Sequence, residues 1–175
     1  MAGLRKGHCY SKITRPYTRH SRVKAKSYIK AFPTNKVVRF EMGDSKKQFQ
    51  YEVSIVAKND HQIRHNALES SRQIVNRRLY NDLGHKGYCL KLIAYPYHVL
   101  RENKILGGAH ADRLQTGMAH SFGKPIGLSA QVRAGNTVFL TNVDQEGLNI
   151  AKEALSLAKP RMPGKYSIEI KKIEY

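Results

Sequence analysis

Acidic residues are scarce in this 175-residue chain: 13 Asp and Glu stand against 31 Lys and Arg, and the first acid is Glu41. Tryptophan is absent, and cysteine occurs only as Cys9 and Cys89. Two distant cysteines exclude a disulfide scaffold and a four-cysteine zinc module, and point to a reducing, intracellular setting. No apolar run approaches the ~18 residues of a membrane span. No apolar stretch follows the basic N-terminus as a secretory signal requires. Neither membrane residence nor export is therefore expected. At 41% hydrophobic residues the chain is too apolar for wholesale disorder. Its length suits one domain that buries roughly 70% of its unfolded surface.

The charge that is present is unevenly placed. Residues 1–40 hold eleven basic side chains and no acid, which accounts for most of the net +18. An arm that repels itself this strongly needs a polyanion to lie against, and nucleic acid is the commonest one. Tyr10, Tyr17, Tyr28 and Phe32 are interleaved with those cations. Rings between cations can stack on exposed RNA bases; alternatively, they dock the arm on its own domain. A membrane-surface helix is disfavoured, because Pro16 and Pro33 interrupt any long amphipathic stripe. The expected organisation is a basic extension over 1–35 and one domain over 36–175.

Alternation of apolar and polar residues predicts strands over 36–42 and 50–57, with Val38, Phe40 and Met42, then Tyr51, Val53 and Ile55, facing inward. Asn59 followed by Gln62 resembles a capping box, and predicts a long helix from there to Gly84 or Gly87. Its expected apolar face is Ile63, Ala67, Ile74, Val75 and Leu79, with Leu68 and Leu83 at the margins. Arg64, Arg72, Arg77 and Arg78 lie mostly outside that face, where they are solvated or meet phosphate. Strands are predicted over 88–95, 98–103, 128–133, 137–143 and from Tyr166 onward, with a second helix over 144–158. Gly135-Asn136 between apolar runs is a hairpin signal. The order implies an α+β fold: a two-layer sandwich of mostly antiparallel or mixed sheet, with two helices on one face.

Residues 104–127 form a long stretch with no sustained period, rich in glycine and carrying Arg113 and Lys124. Such a connection inside a small domain usually carries function; here docking on a partner is favoured over an Ω-loop packed on its own domain. Chemical motifs fail in turn. Between Gly117 and Lys124 stand five residues besides Gly123 (Met118–Phe122), and Pro125 follows the lysine, so no phosphate loop forms. His110, Asp112, His120 and Ser121 lack a nucleophile elbow. His8 with Cys9 lacks two further metal ligands, and His61 with His65 reads as a pair of surface histidines. No catalytic residue, metal or cofactor is assigned, and no small-molecule substrate. An RNA-modifying enzyme with the loop as its lid would need a cofactor motif, and none is visible. A free-standing assembly factor or RNA chaperone is the alternative among binding proteins.

Several blocks carry a family likeness: Arg15-Pro16-Tyr17-Thr18-Arg19, residues 62–69 (QIRHNALE), residues 96–104 (PYHVLRENK), and Ala111-Asp112-Arg113-Leu114-Gln115-Thr116-Gly117-Met118 with Phe122-Gly123-Lys124-Pro125. They resemble the ribosomal large-subunit protein L-sixteen family in its archaeal and eukaryotic L-ten-e form, the archaeal branch above all. The resemblance runs from about residue 5 to 172. It implies an α+β domain and a basic N-terminal extension that bind large-subunit rRNA beside neighbouring ribosomal proteins. It also implies a place near the tRNA-binding cleft and the peptidyl transferase centre, no chemistry of the protein's own, and a link to late subunit maturation. The rRNA-binding residues expected are Arg5, Lys6, Lys12, Arg15, Tyr17, Arg19, Arg22, Lys24, Lys26, Lys30, Arg64 and Arg101. The loop expected near tRNA carries Asp112, Arg113, Leu114, Gln115, Thr116, Gly117, Met118, Phe122 and Lys124. The chain departs from the family pattern with His110 in place of a small residue and Ala119 in place of a basic one. That leaves Arg113 and Lys124 as the permanent cations of the loop.

Overall fold

The structure is a computed structural model that describes residues 7–103, 118 and 122–173. Among the described residues, eight strands and two helices follow one another as β1 (Glu41–Gly43), β2 (Tyr51–Ala57), β3 (His61–Arg64), α1 (His65–Leu83), β4 (Tyr88–Leu92), β5 (His98–Glu102), β6 (Lys124–Val132), β7 (Thr137–Val143), α2 (Leu148–Ser156) and β8 (Tyr166–Lys172). Short 3-10 turns stand at Gly7–Tyr10, Lys24–Lys26, Gln145–Gly147 and Lys159–Arg161. The α+β sandwich expected from the sequence is what forms.

The strands divide between two antiparallel sheets, a five-stranded one in the order β1-β4-β7-β2-β8 and a three-stranded one in the order β3-β6-β5. In the larger sheet Val53 pairs with Thr141 and Ile55 with Phe139. The helices pack on each other and on this sheet. Leu68, Val75 and Leu79 of α1 and Ala151, Ala154 and Leu155 of α2 meet Val53, Ile55, Leu90, Phe139 and Val143 in one core. Burial of that apolar surface is the main favourable term in the fold.

Several local expectations yield to tertiary structure. The helix begins at His65 rather than Asn59. The supposed capping pair is used elsewhere: Asn59 Oδ1 accepts from the Lys165 amide at 2.9 Å, and Gln62 is buried, accepting from Ser129 Oγ at 3.1 Å and donating to the Lys12 carbonyl. Ile63 pairs with Ala130 in the smaller sheet instead of heading a helical face. Without it the inward face of α1 turns to centre on Leu68, Ser71, Arg72, Val75 and Leu79.

His61 and His65, expected at the surface, are 2% and 3% exposed. The first strand is only three residues long. Val37 is buried and Val38 exposed, because the Val37 and Val38 amides donate to Asn35 Oδ1 and Glu69 Oε2 rather than to a strand neighbour.

The Gly135-Asn136 turn does not close a hairpin. β6 pairs with β3 and β5, whereas β7 pairs with β2 and β4, so the turn carries the chain from one sheet to the other. It is tied to the end of β2: the Gly135 amide donates to Ala57 O at 2.8 Å and the Ala57 amide to Asn136 O at 3.0 Å. Gly135 has φ +85°, a conformation that glycine adopts without strain. At the far end of the long loop, β6 already starts at Lys124, so residues 124–127 are strand.

Candidate nucleic-acid interface

In the smaller sheet, β5 is an edge strand, with β6 on one side only. The basic arm covers it. The Tyr17 amide donates to His98 Nδ1 at 2.9 Å, and the Val99 amide donates to Tyr17 O at 3.1 Å. Further along, Ile29 is 1% exposed and packs with Val99 and Leu128, with Tyr17 against the same small cluster. Unpaired strand edges are normally blunted or covered, and here the arm's own backbone does so. Ile29 and Tyr17 turn toward the domain, while Val23, Tyr28 and Phe32 stay exposed together with Lys12, Arg15, Arg19, Arg22, Lys24, Lys26 and Lys30.

Docking the arm assembles a cleft of about 540 Å³ that includes Arg15, Tyr17, Arg19, Tyr28 and Arg101. The Arg101 guanidinium lies 3.9 Å from the centre of the Tyr17 ring, and that of Arg19 lies 4.5 Å from the centre of the Tyr28 ring. Arg19 Nη1 also donates to the Tyr28 hydroxyl at 2.9 Å. Tyr17 in turn donates its hydroxyl proton to Tyr28 O at 3.3 Å. Arginine planes fixed on phenol rings are pre-oriented donors for phosphate. Arg101 Nη1 is closed off from solvent and has no acceptor among the described residues.

The electrostatics separate arm from domain. Among the described residues, ion pairs join Lys47 to Asp144, Arg72 to Glu69, Arg78 to Asp82 and Glu153, and Lys91 to Glu41; none takes a cation from the arm. Arg72 is thus spent inside the domain: it is buried, and its Nη2 lies 2.6 Å from Glu69 Oε1. Of the arginines read as possible phosphate contacts, Arg77 is exposed and joins no ion pair among the described residues; Arg64 is half-buried. Burial, and then the charge of Arg101, lowers the His98 pKa below 6.5. The ring is therefore neutral at pH 7, and its Nδ1 can accept the Tyr17 amide proton.

The structure brings Arg15, Tyr17, Arg19 and Arg101 together. It places Arg22, Lys24, Lys26 and Lys30 elsewhere along the docked arm, and Lys12 beside Gln62. Met118 and Phe122 are exposed, at 42% and 40%, and Lys124 is exposed where β6 begins, paired with Glu102. Gly123 sits between them with φ +105°, and a side chain there would meet the Glu102 backbone at 3.0 Å. Arg5, Lys6, Asp112, Arg113, Leu114, Gln115, Thr116 and Gly117 lie outside the described residues. Tyr28 was visible in the sequence only as one ring of several in the arm. Arg161, which lines a second cleft together with Arg64, carries no sequence signal: it is a single arginine after a proline.

An α+β sandwich with an arm whose described cations join no ion pair, and with arginine planes set on tyrosine rings, defines a class: a basic protein with a candidate surface for a polyanion. Residues 14–169 match the family described as ribosomal protein L16p/L10e. Archaeal relatives agree over nearly the whole chain. The protein of Methanococcus aeolicus is 44% identical over 170 residues, covering 97% of this chain and 95% of its own. That of Staphylothermus marinus is 44% identical over 161 residues (91% and 89%), and that of Nanoarchaeum equitans 40% over 181 residues (99% and 96%). All three bear the name large ribosomal subunit protein uL16. The chain belongs to the ribosomal protein L16p/L10e family, and is a structural constituent of the ribosome rather than an enzyme.

Proposed function

We propose that the chain takes its place in the large ribosomal subunit, in the cytoplasm, anchored in large-subunit rRNA by its arm and by the Arg15–Tyr17–Arg19–Arg101 cleft. It contacts neighbouring ribosomal proteins, and presents the segment after β5 to tRNA near the peptidyl transferase centre during translation. The observation that carries this reading is the set of exposed arm cations that, among the described residues, no carboxylate neutralises. Such a surface releases counterions when it meets RNA phosphates, and each contact steepens the salt dependence of binding by about 0.7–0.9 in log–log slope. The arm is the anchor in this arrangement. The stretch between β5 and β6 is the reaching part: both strands are held in the smaller sheet, and Gly123 allows the chain to turn tightly into β6.

The test separates the two parts. Deletion of residues 107–122 should leave rRNA affinity and its salt slope close to those of the full chain, and impair tRNA positioning or subunit maturation. Loss of rRNA binding on that deletion would refute the division of labour. An assembly factor that leaves before the subunit is finished is distinguished by stoichiometry: one copy should co-sediment with each mature large subunit after a moderate salt wash.

A further inference from the structure

Among the described residues, a second cleft shares no lining residue with the first; it sets Tyr10 of the arm beside Arg64, and the anchoring cleft proposed above does not include it. It opens where three distant stretches of chain meet: Tyr10 at the end of the first 3-10 turn, the junction of β3 with α1, and the turn that ends at Arg161. Its volume, about 440 Å³, falls within the range of small-ligand sites. Tyr10, Ala67 and Pro163 provide apolar walls. Arg64 and Arg161 are its cationic residues, and among the described residues no carboxylate lines the cleft. Arg161 is exposed yet held in place, because its Nη1 donates to Ser70 Oγ at 2.7 Å. Arg64 Nε is shut off from solvent and meets no acceptor among the described residues. A buried donor of that kind is costly until an acceptor reaches it, and an anion is the strongest acceptor available.

We infer that this cleft takes one unpaired ribonucleotide turned out of the RNA stack, its phosphate between Arg64 and Arg161 and its base against the Tyr10 ring. The apolar walls argue against a bare phosphate, which would use only the cations. The paired guanidiniums argue against an apolar peptide segment, which would leave them unanswered. A base with its backbone phosphate satisfies both halves at once, and aromatic stacking tolerates any base. The inference rests on the proposal that the chain binds RNA, and adds to it a selectivity for unpaired nucleotides.

Fluorescence anisotropy with the full-length chain tests it, using a 12-nucleotide RNA as a single strand and in duplex with its complement. Tyr10→Leu and Arg161→Ala should each weaken single-strand binding by about fivefold or more, the scale of one lost stacking or phosphate contact, and duplex binding by less than about twofold. Tyr10→Phe should keep the wild-type affinity, and Arg161→Lys should fall between wild type and alanine. Unchanged melting temperatures show that the variants fold. Equal losses on both RNA forms, or no loss on the single strand, would overturn the inference while leaving the proposed function standing. Should the wild-type chain bind neither these RNAs nor large-subunit rRNA, both readings fall together.

Discussion

Arg101 and Tyr17 are remote in sequence and 3.9 Å apart in space, and their stacking depends on planar geometry as well as charge. Lysine has the charge without the plane. Arg101→Ala should therefore lower rRNA affinity by roughly tenfold, the scale of one lost charge-assisted contact to a phosphate, and Arg101→Lys should recover only part of it. Both variants should melt like the parent protein. Filter binding at fixed salt checks this, and full recovery by lysine would reduce the site to simple charge. Tyr17 was legible in the sequence as a ring among cations. Its stacking partner was not, because nothing in residues 98–102 marks one arginine as facing the arm.

At the scale of the element, the arm does two things with different residues. Ile29 fastens it, buried with Val99 and Leu128, while Lys24 and Lys26 on an exposed 3-10 turn carry charge only. Ile29→Ala should cost about 2–4 kcal/mol of folding stability, as truncation of a fully buried aliphatic side chain does. Lys24→Gln with Lys26→Gln should leave stability unchanged and flatten the salt slope of rRNA binding by up to about 1.8 units. Denaturant melts and a salt titration on both variants separate the roles; a stable Ile29→Ala protein would mean that the arm is not fastened there.

The same scale explains the misread helix start. Asn59 and Gln62 carry local capping chemistry, but the Lys165 amide, the Ser129 hydroxyl and the Lys12 carbonyl claim their side chains. Partners so distant in sequence are invisible to a local pattern.

For the whole molecule, buried titratable groups set the response to acid. Burial is the main cause that holds His61, His65 and His98 below the ordinary imidazole value of 6.5; Lys36 and Arg64 add to it at His65, and Arg101 at His98. The unfolded chain takes up these protons near pH 6.5 and the folded chain only at lower pH. Their contribution to stability is therefore complete above about pH 6.5, and is lost as pH falls through the folded values. Glu69 follows, because its hydrogen bonds from Arg72 hold it at about 2 against an ordinary 4.5, so its share is lost below about pH 4.5. Thermal melts should show a plateau above pH 7, a decline below about 6.5 and a steeper one below about 4.5. A melting temperature constant from pH 7 to pH 5 would contradict the neutral, buried state of the three rings.

By itself the sequence determined the α+β class, the acid-free basic arm and the family likeness, because these rest on periodicity, net charge and contiguous blocks that need no partner. Only the tertiary structure decided which sheet each strand joins. Gly135-Asn136 looks the same whether it closes a hairpin or hands the chain from β6 to β7 across two sheets, and the choice belongs to its hydrogen bonds with Ala57. The tertiary structure likewise decided that the arm lies along β5, and which arginines meet which rings. Those contacts join residues that are far apart along the chain, and their energy appears only once packing has brought them within a few ångströms.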